Sequence, residues 1–282
     1  MRVVTTQDGS KTFLSDLFNE HFHSTTAGAF TEAVEKFCKP CKVAEVAASR
    51  GEVTLLDSCF GLGYNTVAFL DTVLSANPSA AVRVVAYEFD LRVPLKALEL
   101  NWGRYEKWKP IFRGLLGRKV CNRPVPTFVY TDGRVSLKLL IADGRRAVKS
   151  IEEEHFADAI FHDPFSPKVN PELWTYEFFR ELRRLIKPEG ILATYSAATP
   201  VRRALHMAGF GVREGVAVGR KSRSTVASPS FETEGKLLEK FHLPSAVPFR
   251  DPTLSEPREL IKSRREGCVK LLEKSLPLEQ IW

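Results

Sequence analysis

Two stretches about a hundred residues apart carry the side chains best suited to chemistry. The first, Leu55–Thr66, reads LLDSCFGLGYNT, an apolar strand that runs into a glycine-rich turn. The second, Ile160–Pro167, reads IFHDPFSP, an apolar strand followed by an acid, two prolines and an aromatic ring. Because parallel strands end at the same edge of a sheet, we expect both stretches to face one cleft. The sequence therefore predicts a nucleotide-like cofactor on one side of this cleft and chemistry on the other.

The first stretch has the features of a cofactor-binding turn. Its G-x-G-x-x-T pattern lacks the third glycine of a dinucleotide fingerprint, which argues against NAD or FAD. Asp57, directly before the turn, suits a cationic cofactor that carries an amino acid, such as S-adenosylmethionine, better than a phosphate. The turn residues assigned to the cofactor are Phe60, Gly61, Gly63 and Asn65.

Acids also end the next two predicted strands of the series. Glu88 ends the second strand, where a carboxylate is able to accept both ribose hydroxyls. Asp143, followed by Gly144, ends the third, where an acid is able to accept the adenine amino group. Each acid could instead cap the helix that follows it, so the prediction of a cofactor site rests on the set of acids together.

The second stretch has the features of a site for an amine. Its prolines stiffen the backbone and remove N–H donors, so the loop offers the Asp163 carboxylate and its carbonyls as acceptors. Such acceptors orient an amine toward an electrophilic methyl group, and Asp163 could also take its proton, directly or through water. We interpret His162 as a packed histidine rather than a base. Trp174 either anchors the loop on the core or lines a base pocket, and the sequence leaves both open.

Composition limits the class of protein. The 282 residues, 44% hydrophobic, suffice for one large α/β domain with additions. No apolar run approaches the roughly 20 residues that span a bilayer, and the N-terminus lacks a signal pattern, so we expect a cytoplasmic protein without a membrane partner. The five cysteines are scattered, and Cys38 and Cys41 form a lone CxxC without further ligands, so neither a disulfide scaffold nor a metal is predicted.

The net charge of +7 is unevenly distributed. Residues 101–123 hold seven Lys or Arg against one Glu, with four aromatic rings among them. Residues 202–223 hold six Arg or Lys against one Glu. Such clusters suit a phosphate backbone with unstacked bases. A solvated helix face with aromatic rings packed beneath it is the alternative, and it stays open here.

From residue 53 onward, strands and helices alternate, which indicates an α/β fold with a mostly parallel twisted sheet covered by helices on both faces. The predicted strands are 53–57, 82–88, 138–142, 159–162, 191–195 and 212–218, and the predicted helices are 65–74, 94–100, 146–153, 172–186 and 200–208. The Lys187–Gly190 segment is predicted to end the helix at 172–186.

Outside this alternation the chain divides into three further parts. Residues 1–50 are predicted to be an N-terminal cap segment that contributes to the active site, with two helices between residues 16 and 45 and a break near 23–28. Residues 101–136 are read as an insertion in the domain at 51–223, with a strand pair (127–131 with 135–139) above the cofactor edge. Residues 224–282 are read as a C-terminal extension that is helical only at 256–274.

With these motifs in place, residues 22–223 resemble the methyltransferase half of the bacterial bifunctional MnmC family, which completes 5-methylaminomethyl-2-thiouridine at the tRNA wobble position. The resemblance is carried by Phe22–Ser24, Gly28–Glu32, Phe60–Asn65, Glu88, Asp143, Asp163–Thr175, Leu192–Thr194, Val201–Arg203, Ala208–Phe210 and Gly219–Lys221. The most specific parts of the resemblance are the Asp163–Thr175 stretch and the two basic segments, Val201–Arg203 and Gly219–Lys221.

The resemblance implies a Rossmann-like class I methyltransferase fold, S-adenosylmethionine as methyl donor, and the aminomethyl nitrogen of a wobble uridine in tRNA as acceptor. Asp163 is then the catalytic or amine-orienting residue, and Glu32 lies near the cofactor. The substrate and tRNA residues implied are Pro164, Phe165, Trp174, Arg202, Arg203, Arg220 and Lys221.

Two departures from the family pattern matter. Pro164 stands where the family commonly has glycine, which stiffens the loop without removing the carboxylate. Nothing after residue 223 offers a second nucleotide fold, so we expect no FAD and an upstream enzyme that supplies the aminomethyl group.

Three alternatives remain at this stage. A polyamine aminopropyltransferase would share the sheet and an amine-orienting aspartate, but it would have no use for Arg202 and Arg203. An amino-methylase of nucleic-acid bases has a related Asp-Pro-aromatic loop but lacks the downstream Asn170–Thr175 stretch. A tRNA-binding module without catalysis is disfavoured, because it has no physical reason to retain Gly61, Gly63 and the acids.

Overall fold

A nine-stranded sheet forms the centre of the molecule. A computed structural model describes residues 2–122, 124–219 and 222–274. A short N-terminal hairpin precedes the sheet and consists of β1 (Val3–Thr5) and β2 (Lys11–Phe13). The sheet contains β3 (Glu52–Ser58), β4 (Ala81–Glu88), β5 (Lys119–Cys121), β6 (Thr127–Thr131), β7 (Val135–Ile141), β8 (Ala157–His162), β9 (Ile186–Thr194), β10 (Gly211–Glu214) and β11 (Thr225–Ser228).

The strand order is β10-β11-β9-β8-β3-β4-β7-β6-β5. The five central strands, from β9 to β7, run parallel, and the two strands at each edge pair antiparallel. Ser58 of β3 lies opposite Tyr87 of β4 and His162 of β8, so these strands end at the same level. Because their carboxyl ends coincide, the turns that follow them meet at one edge, as the sequence predicts.

Helices cover both faces of the sheet and divide the core into two layers. Consecutive residues of β3 alternate between these layers, with Leu55 in the first and Leu56 in the second. Every residue of β8 is buried because both faces are covered. The helices are α1 (Ala29–Ala33, continued by a π-helical turn at Val34–Cys38), α2 (Val43–Arg50), α3 (Tyr64–Ala76), α4 (Arg92–Ala97), α5 (Lys109–Gly117), α6 (Gly144–Lys149), α7 (Tyr176–Leu185), α8 (Thr199–Met207), α9 (Gly235–Phe241) and α10 (Arg258–Glu273).

Several predicted elements differ from the structure. Residues 16–22 form turns rather than a helix, and the first helix begins at Ala29. The segment Lys187–Gly190 continues β9 instead of ending a helix, and α7 already ends at Leu185. The predicted pair at 127–131 and 135–139 does form, but it extends the main sheet and does not lie above the cofactor edge.

The C-terminal part contributes to the sheet, which the sequence did not indicate. Strand β11 inserts between β9 and β10, immediately after the predicted domain limit at residue 223. Strand β10 is shorter than predicted and ends at Glu214. Helix α10 packs on the short 3-10 turn at Pro171–Trp174. Within the described ranges, no helix is long and apolar enough to cross a bilayer.

Candidate active site

A cavity of about 710 Å³ lies at the carboxyl edge of the central strands. Three structural units close it: the strand ends, the N-terminal loop at residues 17–25, and the beginning of α10. Eight of the 17 predicted site residues line it, namely Glu32, Gly61, Glu88, Asp143, Gly144, Asp163, Pro164 and Phe165. The two stretches singled out in the sequence therefore meet across one cavity.

The glycine turn supports the cavity from behind as well as lining it. Gly61 and Gly63 both have left-handed backbones, with φ of +53° and +79°. A Cβ at Gly63 would lie 2.3 Å from Phe112, so this glycine allows α3 to begin close to α5. Phe60 is buried, and its ring centroid lies 5.4 Å from that of Phe112. Phe60 and Gly63 thus shape the turn without lining the cavity.

Glu88 is fixed at the end of β4 by backbone donors. Its Oε2 accepts from the Gly61 N–H at 2.8 Å, and its Oε1 accepts from the Asp90 N–H at 2.9 Å. Burial raises the pKa of Glu88, although these backbone N–H groups oppose the shift. The carboxylate lines the cavity with lone pairs left for a further donor, which fits a vicinal diol.

Asp143 both caps a helix and lines the cavity. Its Oδ1 accepts from the Arg145 N–H at 2.9 Å, and its Oδ2 accepts from Arg145 Nη2 at 2.8 Å. Burial acts to raise the pKa of Asp143, but the Arg145 guanidinium outweighs burial and the pKa is lowered. A Cβ at Gly144 would lie 2.9 Å from Leu173 Cδ2, so glycine directly after Asp143 leaves room for the Leu173 side chain.

Asp163 lies in a cluster of charged and polar side chains. Its Oδ2 accepts from Asn65 Nδ2 at 2.9 Å. Beside it, Lys36 Nζ lies 2.5 Å from Glu32 Oε1, and both of these side chains are buried. Burial and then the charge of Glu32 raise the pKa of Asp163 well above its ordinary value, whereas Asn65 and Lys36 lower it. Asn65 therefore supports the acid from behind and does not line the cavity itself.

Asp57 does not lie where the sequence placed it. It is fully buried and its Oδ2 accepts from Thr66 Oγ1 at 2.6 Å, within the core behind the turn. Burial raises its pKa to about 8. Asp57 pairs with Ala86, two residues before Glu88, so its side chain lies on the same face of the sheet as Glu88 but deeper in the core.

The proline loop is held by hydrogen bonds to its carbonyls. Tyr195 Oη donates to the Pro164 carbonyl at 3.0 Å, and Trp174 Nε1 donates to the Phe165 carbonyl at 2.8 Å. Trp174 is fully buried, so it anchors the loop and does not line a base pocket. The carbonyls expected to orient an amine are thus already engaged, and Asp163 is the acceptor that the loop presents.

His162 is a packed histidine, as predicted. Its Nδ1 lies 2.8 Å from Ser58 Oγ, and its Nε2 lies 3.0 Å from the Leu173 carbonyl. Burial lowers its pKa to about 3, so the ring is neutral at physiological pH.

The N-terminal loop forms an aromatic wall that sequence reasoning largely missed. The Phe18 ring stacks on Phe165 at 4.4 Å, and Phe22 meets Phe165 edge-on at 5.1 Å. Glu20 fastens the loop, since its Oε2 accepts from the Ser166 N–H at 2.9 Å. The sequence predicted that residues 1–50 contribute to the site, but of the rings in this wall it singled out only Phe22 and Phe165.

Other lining residues were not predicted either, among them Cys59, His23 and Arg258. Cys59 has a left-handed backbone, with φ of +79°, although it is not glycine. His23 is buried, its Nε2 has no hydrogen-bond partner among the described residues, and burial lowers its pKa to about 4. Arg258 reaches the cavity from α10; the sequence predicted this helix but not its contact with the site.

The predicted tRNA-facing arginines differ in their surroundings. Arg202 is buried and donates to Glu214 at 3.2 Å and to Thr225 at 2.9 Å, so it joins strands rather than facing a phosphate. Arg203 is half-buried, and burial lowers its pKa. Arg220 and Lys221 lie outside the described residues.

The aromatic rings of the basic segment at 101–123 belong to the core. Trp102, Tyr105 and Phe112 are buried, and Tyr105 stacks on Phe30 at 4.0 Å. This arrangement is the solvated face over packed rings that the sequence left as an alternative. The two thiols of the CxxC motif, Cys38 and Cys41, are buried and unbridged. In the part of the chain described, no three His, Cys, Asp or Glu side chains are grouped to hold a metal ion.

Comparison with known proteins agrees with this geometry. Residues 109–230 match the family described as S-adenosyl-L-methionine-dependent methyltransferase. The crystal structure of MNMC2 from Aquifex aeolicus superposes with a TM-score of 0.80 and 34% identity, over 96% of this chain and 85% of that one.

Two curated relatives extend the comparison. An uncharacterized protein of Methanocaldococcus jannaschii is 31% identical over 98% of this chain and 75% of its own length. The tRNA 5-methylaminomethyl-2-thiouridine biosynthesis bifunctional protein MnmC of Pseudomonas aeruginosa is 29% identical over 74% of this chain. The match spans only 32% of that bifunctional protein.

Proposed function

The chain belongs to the S-adenosylmethionine-dependent methyltransferase family that includes MNMC2 of Aquifex aeolicus, and on this premise we propose that it methylates tRNA. The proposed acceptor is the primary amine of 5-aminomethyluridine or 5-aminomethyl-2-thiouridine at the wobble position. The product is the corresponding 5-methylaminomethyl nucleoside.

The observation that carries the proposal is the position of Asp163. This acid lines the same cavity as Glu88 and Gly61 and receives a hydrogen bond from Asn65, which lies in the first turn of the helix after the glycine turn. An amine acceptor and a methyl donor bound in one cavity would therefore meet in front of a fixed carboxylate, and such positioning supplies a large part of the rate of a displacement.

The lining residues fit S-adenosylmethionine. Glu88 keeps free lone pairs for ribose hydroxyls, and Gly61 allows close approach at the turn. We assign Asp143 and Gly144, which line the same cavity, to the adenine end. When bound, S-adenosylmethionine supplies an electrophilic methyl group on a positively charged sulfur. Carboxylates around the cavity favour such a cation.

Asp163 gives the site a group that manages the proton of the amine. A primary amine is mostly protonated near neutral pH, and the ammonium form has no lone pair for attack. A carboxylate whose pKa is raised by burial accepts this proton more readily than an ordinary aspartate. The proposed role of Asp163 is to accept the proton and then hold the neutral amine with its lone pair toward the methyl group.

The charge of the cavity favours the free amine over the carboxymethylaminomethyl form. Asp163 and Glu32 would repel a carboxylate on the uridine substituent, whereas an aminomethyl group is attracted. We therefore propose that another enzyme removes the carboxymethyl group first, and that this chain acts without flavin. The aromatic wall of Phe18, Phe22 and Phe165 suits a base turned out of an anticodon loop.

The test is methyl transfer from S-adenosylmethionine to two tRNA pools, one with 5-aminomethyluridine and one with the carboxymethylaminomethyl form. We expect methylation of the first pool alone, read by mass spectrometry of the nucleosides. Equal methylation of both pools would contradict the proposed order of steps. Methylation of small amines or of adenine, with neither tRNA pool labelled, would replace the proposed acceptor.

A further inference from the structure

Arg258, the first residue of α10, differs from every other charged residue on the cavity wall. Among the described lining residues it is the only Lys or Arg. The acids on the same wall are Glu20, Glu32, Glu88, Asp143, Asp163 and Glu172. The Arg258 side chain is 27% exposed. A cation kept accessible at a wall rich in acids needs a physical reason.

Two contacts fix the Arg258 guanidinium. Its Cζ lies 5.0 Å from the centre of the Phe18 ring, and its Nε donates to Glu172 Oε1 at 3.0 Å. The terminal nitrogens donate no hydrogen bond to the described residues, so both of them, with four N–H groups, remain available. Arginine presents such a fork to phosphate oxygens with little loss of side-chain freedom when it is held in this way.

The position of Arg258 relates it to the acceptor rather than to the glycine turn. Phe18, beneath the guanidinium, stacks on Phe165 at 4.4 Å, and Phe165 lies two residues after Asp163. The stacked rings of Phe165 and Phe18 thus connect the proline loop to the Arg258 guanidinium. If a nucleotide binds with its base toward Asp163, its phosphates lie farther from Asp163 than the base does. Arg258 likewise lies beyond the two rings as seen from Asp163.

We propose that Arg258 binds a phosphate flanking the nucleotide that is methylated, so that the C-terminal helix completes the acceptor site. This inference rests on the proposed function. The segment after residue 230 has nine basic and nine acidic side chains and therefore no excess of positive charge. Its proposed contribution to RNA binding is the single cation of Arg258 rather than a basic surface. A phosphate contact of this kind fixes the register of an RNA on the protein.

Two other roles for Arg258 make different predictions. It could bind the carboxylate of the amino-acid end of S-adenosylmethionine, in which case cofactor affinity depends on it. It could also serve only to fasten α10 to Glu172, in which case removing either partner has the same effect.

The experiment measures binding of an anticodon stem-loop that carries 5-aminomethyluridine, at several salt concentrations, together with the Kd for S-adenosylmethionine. The variants are Arg258→Gln, Glu172→Gln and Lys270→Gln. Glu172→Gln breaks the ion pair but keeps the cation, and Lys270→Gln removes an exposed cation from the same helix.

We expect Arg258→Gln to weaken stem-loop binding about ten- to a hundredfold and to lower the slope of log Kd against log salt by about 0.7, the value for one phosphate on a single strand. Cofactor affinity should stay within a few-fold of wild type. Glu172→Gln and Lys270→Gln should keep the wild-type slope.

Equal effects of Arg258→Gln and Glu172→Gln with an unchanged slope would overturn the inference in favour of a fastening role. Loss of cofactor affinity alone would assign Arg258 to the cofactor carboxylate. This experiment measures binding and not methyl transfer. If the wild type does not methylate this acceptor, the proposed function is contradicted. The effect of Arg258→Gln on stem-loop binding still tests the inference about Arg258.

Discussion

Asn65 Nδ2 donates a 2.9 Å hydrogen bond to Asp163 Oδ2 and thereby joins the helix after the glycine turn to the proline loop. The two residues are 98 positions apart in the chain. This bond couples the part of the cavity assigned to the cofactor with the part assigned to the acceptor. It also leaves Asp163 Oδ1 for the acceptor, because the amide is directed at the other oxygen.

Lys36 should set the pH range in which Asp163 works. Its positive charge lowers the pKa of Asp163, so Lys36→Met raises that pKa further and moves the acidic limb of the kcat/KM profile to higher pH. Glu32→Gln removes a negative neighbour and should move the limb the opposite way. Lys39→Met, which removes the exposed pair with Glu35 on the same helix, is the control and should leave the profile in place. Identical profiles for all three variants would contradict this account.

Glu88 should contribute to cofactor binding through its charge. Glu88→Gln keeps the shape of the side chain but replaces one acceptor oxygen by an amide, and it should raise the Kd for S-adenosylmethionine about ten- to a hundredfold. Isothermal titration measures this directly. Asp90→Asn is the matched control, since the Asp90 side chain pairs with Arg92 outside the cavity. Comparable losses in the two variants would show that Glu88 acts only through the fold.

The strands and the acids at their ends were predictable, because buried parallel strands are short apolar runs with clear limits. The predicted glycine turn, Glu88, Asp143 and Asp163 do converge on one edge. The predictions failed where contacts with residues distant in sequence determine the position of a side chain or strand. Asp57 lies two residues deeper in the sheet than Glu88, and Arg202 is buried because Glu214 and Thr225 surround it. Strand β11 was missed because its four residues follow a polar, basic segment.

Buried Asp57 should make the stability of the fold dependent on pH. Its folded pKa of about 8 lies above its ordinary value of 3.8, so the folded state retains a proton that the unfolded chain releases. The stabilisation is therefore full below about pH 4 and is lost as the pH rises toward 8. Asp57→Asn cannot ionise, so its free energy of unfolding relative to wild type should increase between pH 5 and about pH 8.

Urea unfolding of both proteins across this range measures the effect, with Asp132→Asn in an exposed turn as control. The Kd of Asp57→Asn for S-adenosylmethionine should stay within a few-fold of wild type, because Asp57 does not line the cavity. A large loss of cofactor affinity with a flat stability difference would restore the role that the sequence suggested.

Arg202 should matter for stability rather than for RNA. Arg202→Gln leaves buried acceptors at Thr225 and the Ser224 carbonyl with fewer donors, each worth about 1–3 kcal/mol. Thermal unfolding should therefore occur at a clearly lower temperature, whereas Arg213→Gln on the surface of β10 should change it little. If Arg202→Gln unfolded at the wild-type temperature but bound tRNA weakly, the structural role of Arg202 would be contradicted.

The most direct test of the central claim is transfer of a deuterated methyl group to tRNA that carries 5-aminomethyluridine, by wild type and by Asp163→Asn. The wild type should place the label on the side-chain nitrogen, as located by fragmentation of the nucleoside. Asp163→Asn should bind S-adenosylmethionine nearly normally and lose about 10²- to 10⁴-fold in turnover. Label on a ring atom, or equal turnover by the two proteins, would contradict the assignment of Asp163 as the residue that receives the amine.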